Sequence, residues 1–64
     1  MNRMVTMTIN HERTRLTETR LRLTQLCEGM DRAGIRDEAC QAVADSVIHI
    51  ADAYDDLTIA LHQL

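Results

Sequence analysis

The sequence predicts an all-α fold in which two long antiparallel helices form a helical hairpin, and two hairpins form a dimeric four-helix bundle. The chain has 64 residues, no Pro, and only Gly29 and Gly34 as glycines, so it has one place to turn sharply. Apolar residues make up 45% of the chain and aromatic residues 2%, a composition that suits packed helices. A chain this short buries little surface alone, and its two cysteines allow one disulfide at most. A second copy of the chain is therefore the expected source of the missing core.

Helix 1 is predicted over about residues 9–33, with Asn10 or Thr8 as its N-cap. Its apolar residues recur every seven positions and occupy position a of a heptad: Ile9, Leu16, Leu23 and Met30. Position d is held by Glu12, Thr19 and Leu26. Before this helix, residues 1–8 alternate with a period of two, which predicts an extended N-terminal arm.

The turn is predicted over residues 34–37. Gly34 can adopt the left-handed conformation that ends helix 1, and Ile35 would then contact Met30. Asp37 is a good N-cap for helix 2, which is expected over about residues 38–63.

Helix 2 has an uninterrupted apolar seam with alternating steps of three and four residues: Cys40, Val43, Val47, Ile50, Tyr54, Leu57 and Leu61. Small residues flank this seam on both sides, so two neighbouring helices can approach closely. Because one partner helix cannot cover so wide a surface, the predicted dimer core is Val43, Val47, Ile50, Tyr54, Leu57 and Leu61.

Charge is distributed unevenly within the formal net charge of −3. Residues 1–30 hold five arginines against three glutamates, and residues 31–64 hold two arginines against seven acidic residues. We therefore expect the arginines that flank the helix 1 seam to reach carboxylates of helix 2. The arginines are Arg13, Arg15, Arg20 and Arg22, and the carboxylates are Asp45, Asp52 and Asp56.

The outer face of helix 2 combines acidic and apolar residues, which is typical of a protein-docking stripe. The candidate partner-binding residues are Asp45, Ile48, His49, Asp52, Asp55, Asp56 and Ile59. His49 with Asp45 or Asp52 has a spacing that could hold a metal, but a solvated cluster is the preferred interpretation, and no metal is expected.

No group of residues resembles a nucleophile with its base, a phosphate-binding loop or a carboxylate pair, so we expect no enzymatic activity, cofactor or small-molecule substrate. No apolar stretch is long enough to cross a membrane, and we expect a cytoplasmic protein. In that compartment Cys27 and Cys40 would be reduced and would pack as small apolar residues.

The layout resembles the Rop family of plasmid RNA-binding regulators, whose hairpins pair into an antiparallel four-helix bundle. The shared features are the overall length, the short turn after Met30–Asp31, Cys40 early in helix 2, and the run from His49 to Tyr54. The resemblance implies the architecture. We do not carry over the activity, because the RNA-binding face of Rop has an aromatic residue on helix 1 and none occurs here.

A second alternative resembles the ribbon-helix-helix family of DNA-binding dimers. Arg3 to Ile9 would be the strand, and Arg3, Thr6 and Thr8 would read the major groove. The predicted helices are about twice as long as that family uses. Under either nucleic-acid alternative, Arg15 and Arg22 are further candidate contacts.

The preferred functional hypothesis is a small regulatory adaptor or inhibitor, of the kind that phages and plasmids encode. It would act as a homodimer that binds a protein partner, because an acidic chain with outward Ile residues suits a protein surface better than phosphate.

Overall fold

The computed structural model describes residues 2–64, which form two helices packed side by side. Helix α1 spans Arg3–Arg32 and helix α2 spans Glu38–His62. The hairpin is long and narrow, with Cα extents of 50 × 15 × 11 Å. The predicted all-helical hairpin is confirmed, and the described residues contain no strand. Neither helix is long and apolar enough to span a membrane.

The start of α1 differs from the prediction, because the helix begins at Arg3 and the extended arm is wrong from that residue onward. Asn2, and neither Asn10 nor Thr8, is the N-cap: its Oδ1 accepts a hydrogen bond of 3.1 Å from the Val5 amide. Such a bond satisfies one of the amides that have no partner within the first turn. Met1, the first residue of the predicted arm, lies outside the described residues.

The end of α1 agrees with the sequence signal at Gly34, whose φ is +78°. The Ile35 amide donates to the Met30 carbonyl at 2.9 Å, and the Gly34 amide donates to the Asp31 carbonyl at 3.0 Å. These two bonds form a Schellman motif, which satisfies carbonyls that would otherwise lack partners. On the other side of the turn, Asp37 caps α2 as predicted, by accepting from the Ala39 amide at 3.0 Å.

The seam of α2 is the one that the sequence predicts, since all seven of its residues from Cys40 to Leu61 are half-buried. On α1 the row of Ile9, Leu16, Leu23 and Met30 is half-buried too. The second row on α1 differs from the prediction, because Thr19 and Leu26 are exposed. The neighbouring row on α1 consists of Thr6, Arg13, Arg20 and Cys27, of which all but Arg20 are half-buried, and Arg13 contacts Tyr54 of α2.

The hairpin has no fully buried side chain among residues 2–64. Its accessible surface is 4973 Å². A compact monomer of this chain's mass, 7.3 kDa, would expose about 4200 Å². The radius of gyration is 14.9 Å, against about 11 Å for a compact chain of this length. One helix therefore covers only one side of the other.

The two glycines provide a matched test of the turn. Gly34→Ala is expected to destabilise the fold by about 1 kcal/mol, because a Cβ is strained at positive φ even where, as here, no atom lies within 4 Å of it. Gly29→Ala lies inside α1, where the new Cβ would be 3.9 Å from Arg32 Nη2. It is expected to stabilise the fold by about 0.5–1 kcal/mol.

Urea unfolding followed by circular dichroism, at one fixed protein concentration, measures both changes. Equal effects of the two substitutions would contradict the assignment of Gly34 as the helix stop.

Candidate functional site

The outer surface of α2 carries the predicted partner-binding residues. The seam holds Val43, Val47, Ile50, Tyr54, Leu57 and Leu61, the predicted dimer core, against α1 of the same chain. The seven candidate residues consequently lie away from α1, and all of them are exposed: Asp45, Ile48, His49, Asp52, Asp55, Asp56 and Ile59. Ile48 and Ile59 are each 59% exposed, which leaves two large aliphatic side chains in water.

The electrostatics of this outer surface are one-sided. Helix α2 carries five carboxylates and no arginine, a formal charge of −5. Asp45 accepts a hydrogen bond of 2.9 Å from Gln41 Nε2 on its own helix. The three ion pairs that residues 2–64 form include no carboxylate of α2. The surface therefore presents aliphatic side chains within a negative field, an arrangement that suits a partner with an apolar patch and a basic rim.

The arginines do not make the expected pairs with α2, and that prediction is wrong. Arg15 Nη1 lies 3.3 Å from Glu12 Oε1, and Arg22 Nη2 lies 4.0 Å from Glu18 Oε2, both on α1. The third pair joins Arg36 and Asp31 across the turn. The physical reason is that the aspartates of α2 are on its outer side, whereas a glutamate one turn away is within easy reach.

Arg13 takes a different role, as the single arginine whose contact with α2 is shown. Its Cζ lies 4.7 Å from the centroid of the Tyr54 ring, and its Nη2 donates to the Tyr54 hydroxyl at 3.0 Å. Its Nη1 also donates to Asn10 Oδ1 at 3.1 Å, while Nε is buried without a partner. Tyr54 is half-buried in the seam, as its spacing predicts, and its hydroxyl has a partner on the other helix. No pattern in the sequence indicated that Arg13 would be the donor.

The nucleic-acid candidates are spread along α1 and do not converge on one surface. Arg3, Thr6 and Thr8 lie in the first turns of the helix, so the strand required by the ribbon-helix-helix alternative is absent from this part of the described chain. Thr6 Oγ1 donates to the Asn2 carbonyl, and Thr6 is half-buried. Arg15 and Arg22 are exposed farther along α1, each beside its glutamate.

Other reactive side chains form no constellation within residues 2–64. Cys27 and Cys40 are free and half-buried. No group of three or more His, Cys, Asp or Glu residues is arranged to hold a metal ion in the described chain. A concave region at the start of α1 is lined by Arg3, Met4, Met7, Thr8 and His11. Since all five belong to one helix, no second element closes it into a pocket.

Comparison with known proteins finds no match to this chain among protein-family models, curated proteins or solved structures. The functional interpretation therefore depends on the residues themselves. They offer two kinds of surface: the exposed acidic and aliphatic side of α2, and the half-buried seam residues that one partner helix leaves partly open.

The Arg13–Tyr54 contact can be measured by a double-mutant cycle. Tyr54→Phe removes the acceptor and keeps the ring, and Arg13→Gln removes the cation. We expect a coupling of about 1 kcal/mol between them, because each change alone breaks the same charge-assisted bond. Urea unfolding of the four proteins measures it. A second cycle, which combines Arg20→Gln with Tyr54→Phe, serves as the control. Equal coupling free energies in the two cycles would contradict the contact between Arg13 and Tyr54.

Proposed function

We propose that this chain is a small non-enzymatic regulatory adaptor or inhibitor that works as a homodimer and binds a protein partner through the outer surface of α2. The observation that carries the proposal is that residues 2–64 contain no fully buried side chain. Such a chain has surface to cover on both sides of its helix pair, and its acidic outer surface is then left for another protein.

The accessible area supports a second copy. The hairpin exposes about 800 Å² more than a compact monomer of its mass, and a standard protein–protein interface buries about 800 Å² on each side. Arg13 meets Tyr54 across the seam, so the two helices lie side by side over most of their length and two hairpins can pair along it.

The outer surface of α2 supports a protein partner. Ile48 and Ile59 are each 59% exposed, and full burial of an Ile side chain is worth about 1.5–3 kcal/mol. The surrounding carboxylates would repel phosphate and attract a basic rim. Nucleic acid is less well supported, because the guanidinium groups of Arg15 and Arg22 already lie beside glutamates of α1.

A capture experiment from the native cell tests the partner surface. The wild type, an Ile48→Asp/Ile59→Asp double variant and Leu21→Asp are used as baits, each with and without nuclease. Leu21 is the matched control because it is also 59% exposed but lies on α1. A protein partner should be enriched by the wild type and by Leu21→Asp, persist after nuclease, and be lost with the double variant.

The captured protein is then purified and titrated against the same three chains. We expect the double variant to weaken binding more than tenfold. Two aliphatic side chains that the partner would bury are replaced by charges in an already acidic surface. Equal affinity for all three chains, or capture that nuclease abolishes, would contradict the proposed surface.

A further inference from the structure

An antiparallel helix pair has two open faces, one on each side of the plane that contains both helix axes. Such a pair has an approximate two-fold axis perpendicular to this plane, which exchanges the two helices and leaves each face in place. A row of α1 and a row of α2 that have the same offset in sequence from their seam rows therefore lie on the same face. Face A is formed by the residues three positions after the seam rows that start at Ile9 and Val43, and by the residues seven positions before or after those. They are Val5, Glu12, Thr19 and Leu26 of α1 and Ala39, Ser46, Ala53 and Ala60 of α2. Face B comprises Asn10, Thr17 and Thr24 of α1 and Ala44, Ala51 and Thr58 of α2.

The two faces differ in the seam row of α1 that borders each of them. The row beside face A is wholly apolar and half-buried: Ile9, Leu16, Leu23 and Met30. The row beside face B is Thr6, Arg13, Arg20 and Cys27. Face A itself adds Val5 and Leu26, which are 39% and 48% exposed. Of the two open faces, face A therefore has the more apolar border on α1. The most exposed apolar residues of this helix, Met4, Met7 and Leu21, lie outside both faces.

Face B is already partly covered by the chain's own side chains. The Arg13 guanidinium lies over the Tyr54 ring and donates to its hydroxyl, and both residues belong to the rows that border face B. Arg20 and Thr17 line the groove between the helices beside Tyr54, and this groove also reaches Leu16 and Ile50. Burying these arginines in an apolar interface would require desolvating their charges, which is costly. Face A holds one charged residue, Glu12, which pairs with Arg15 of its own helix at 3.3 Å, and none of its residues is an arginine.

We propose that a second copy of this chain packs on face A, with α1 of each copy against α2 of the other and both turns at the same end of the bundle. This arrangement rests on the homodimer proposed above and specifies its interface. A two-fold axis parallel to the helices relates the copies, so the same face is used twice and every neighbouring helix pair is antiparallel.

Charge selects this arrangement over the one with turns at opposite ends. Helix α1 carries six arginines and four carboxylates, a formal charge of +2, and α2 carries −5. Turns at opposite ends would place α2 against α2 of the partner subunit, two helices of charge −5. Turns at the same end place α1 against α2 at all four contacts. Surface charges of this kind contribute little affinity, but they determine which of two similar packings forms.

Side-chain size favours the same arrangement. The face A row of α2 consists of Ala and Ser, and the face A row of α1 includes Leu26 and Val5. With turns at the same end, the larger row of one copy lies over the small row of the other, which lets the helices approach closely while filling the space between them.

Distance measurement between the two turns tests the arrangement. Arg36 is exposed in the turn, and Arg36→Cys in a chain that also carries Cys27→Ala and Cys40→Ala gives one spin-label site per copy. Double electron–electron resonance should then report a distance of about 20 Å, set by helix spacings of about 10 Å and the label arms. Sedimentation equilibrium of the unlabelled wild type is measured in parallel.

Each outcome has a distinct meaning. A turn-to-turn distance close to the 50 Å length of the hairpin in a dimeric protein would overturn the arrangement and leave the homodimer in place. A monomeric wild type at 100 μM would overturn both.

A pair of leucine variants tests the face without altering the cysteines. Leu26 lies on face A and is 48% exposed, and Leu21 lies on the same helix outside face A and is 59% exposed. Leu26→Glu should weaken dimerisation at least tenfold in sedimentation equilibrium, and Leu21→Glu should leave it within about twofold. Circular dichroism at high concentration checks that both chains are helical. A dimer weakened by Leu21→Glu and untouched by Leu26→Glu would place the partner on the other side.

Discussion

The structure depends on one constraint: a single helix can cover only one side of another helix. The α2 seam from Cys40 to Leu61 is therefore only half-buried, and no side chain is fully buried in residues 2–64. Burial of apolar surface is the main favourable term in folding, and half-burial provides only part of it against the conformational entropy of ordering the chain. The local devices that shape the hairpin, its caps and its turn, can direct the fold but cannot replace that missing burial.

The same constraint explains the asymmetry between the two sides of the helix pair. On the face B side, the seam row of α1 is polar, and Arg13 lies over Tyr54 where an apolar side chain would otherwise be needed. On the face A side, the apolar row from Ile9 to Met30 continues outward to Leu26 and Val5. The chain's own Arg13 covers part of the face B side, whereas the face A side has an apolar border that the hairpin leaves half-buried. The outer surface of α2, with Ile48 and Ile59 among carboxylates, lies outside both faces and is available to a different protein.

The sequence predicted the features that have local causes. Gly34 and Asp37 act within one or two residues, and the α2 seam repeats without interruption, so the turn, the cap and the half-buried side of α2 could be predicted.

Leu26 was predicted to be in the seam and is exposed in the hairpin. A heptad pattern reports where apolar residues are aligned; it does not say which neighbouring helix covers them.

The features that depend on a choice between competing partners could not be predicted. The start of α1 depends on whether Asn2 or Asn10 supplies the cap, and both are good N-cap residues. The arginines were expected to cross to α2 because opposite charges attract, but a partner one turn away on the same helix orders fewer side chains.

The exposure of the candidate partner-binding residues followed from the α2 seam, since residues opposite a correctly predicted seam must face outward.

The central claim is that this hairpin obtains its missing core from a second copy of itself, and the most direct measurement is the thermal unfolding midpoint as a function of protein concentration. If folding is coupled to dimerisation, the midpoint followed by circular dichroism rises steadily as the chain is concentrated from 1 to 100 μM. A cooperative transition whose midpoint is the same across that range, in a protein that sediments as a monomer, would contradict the account.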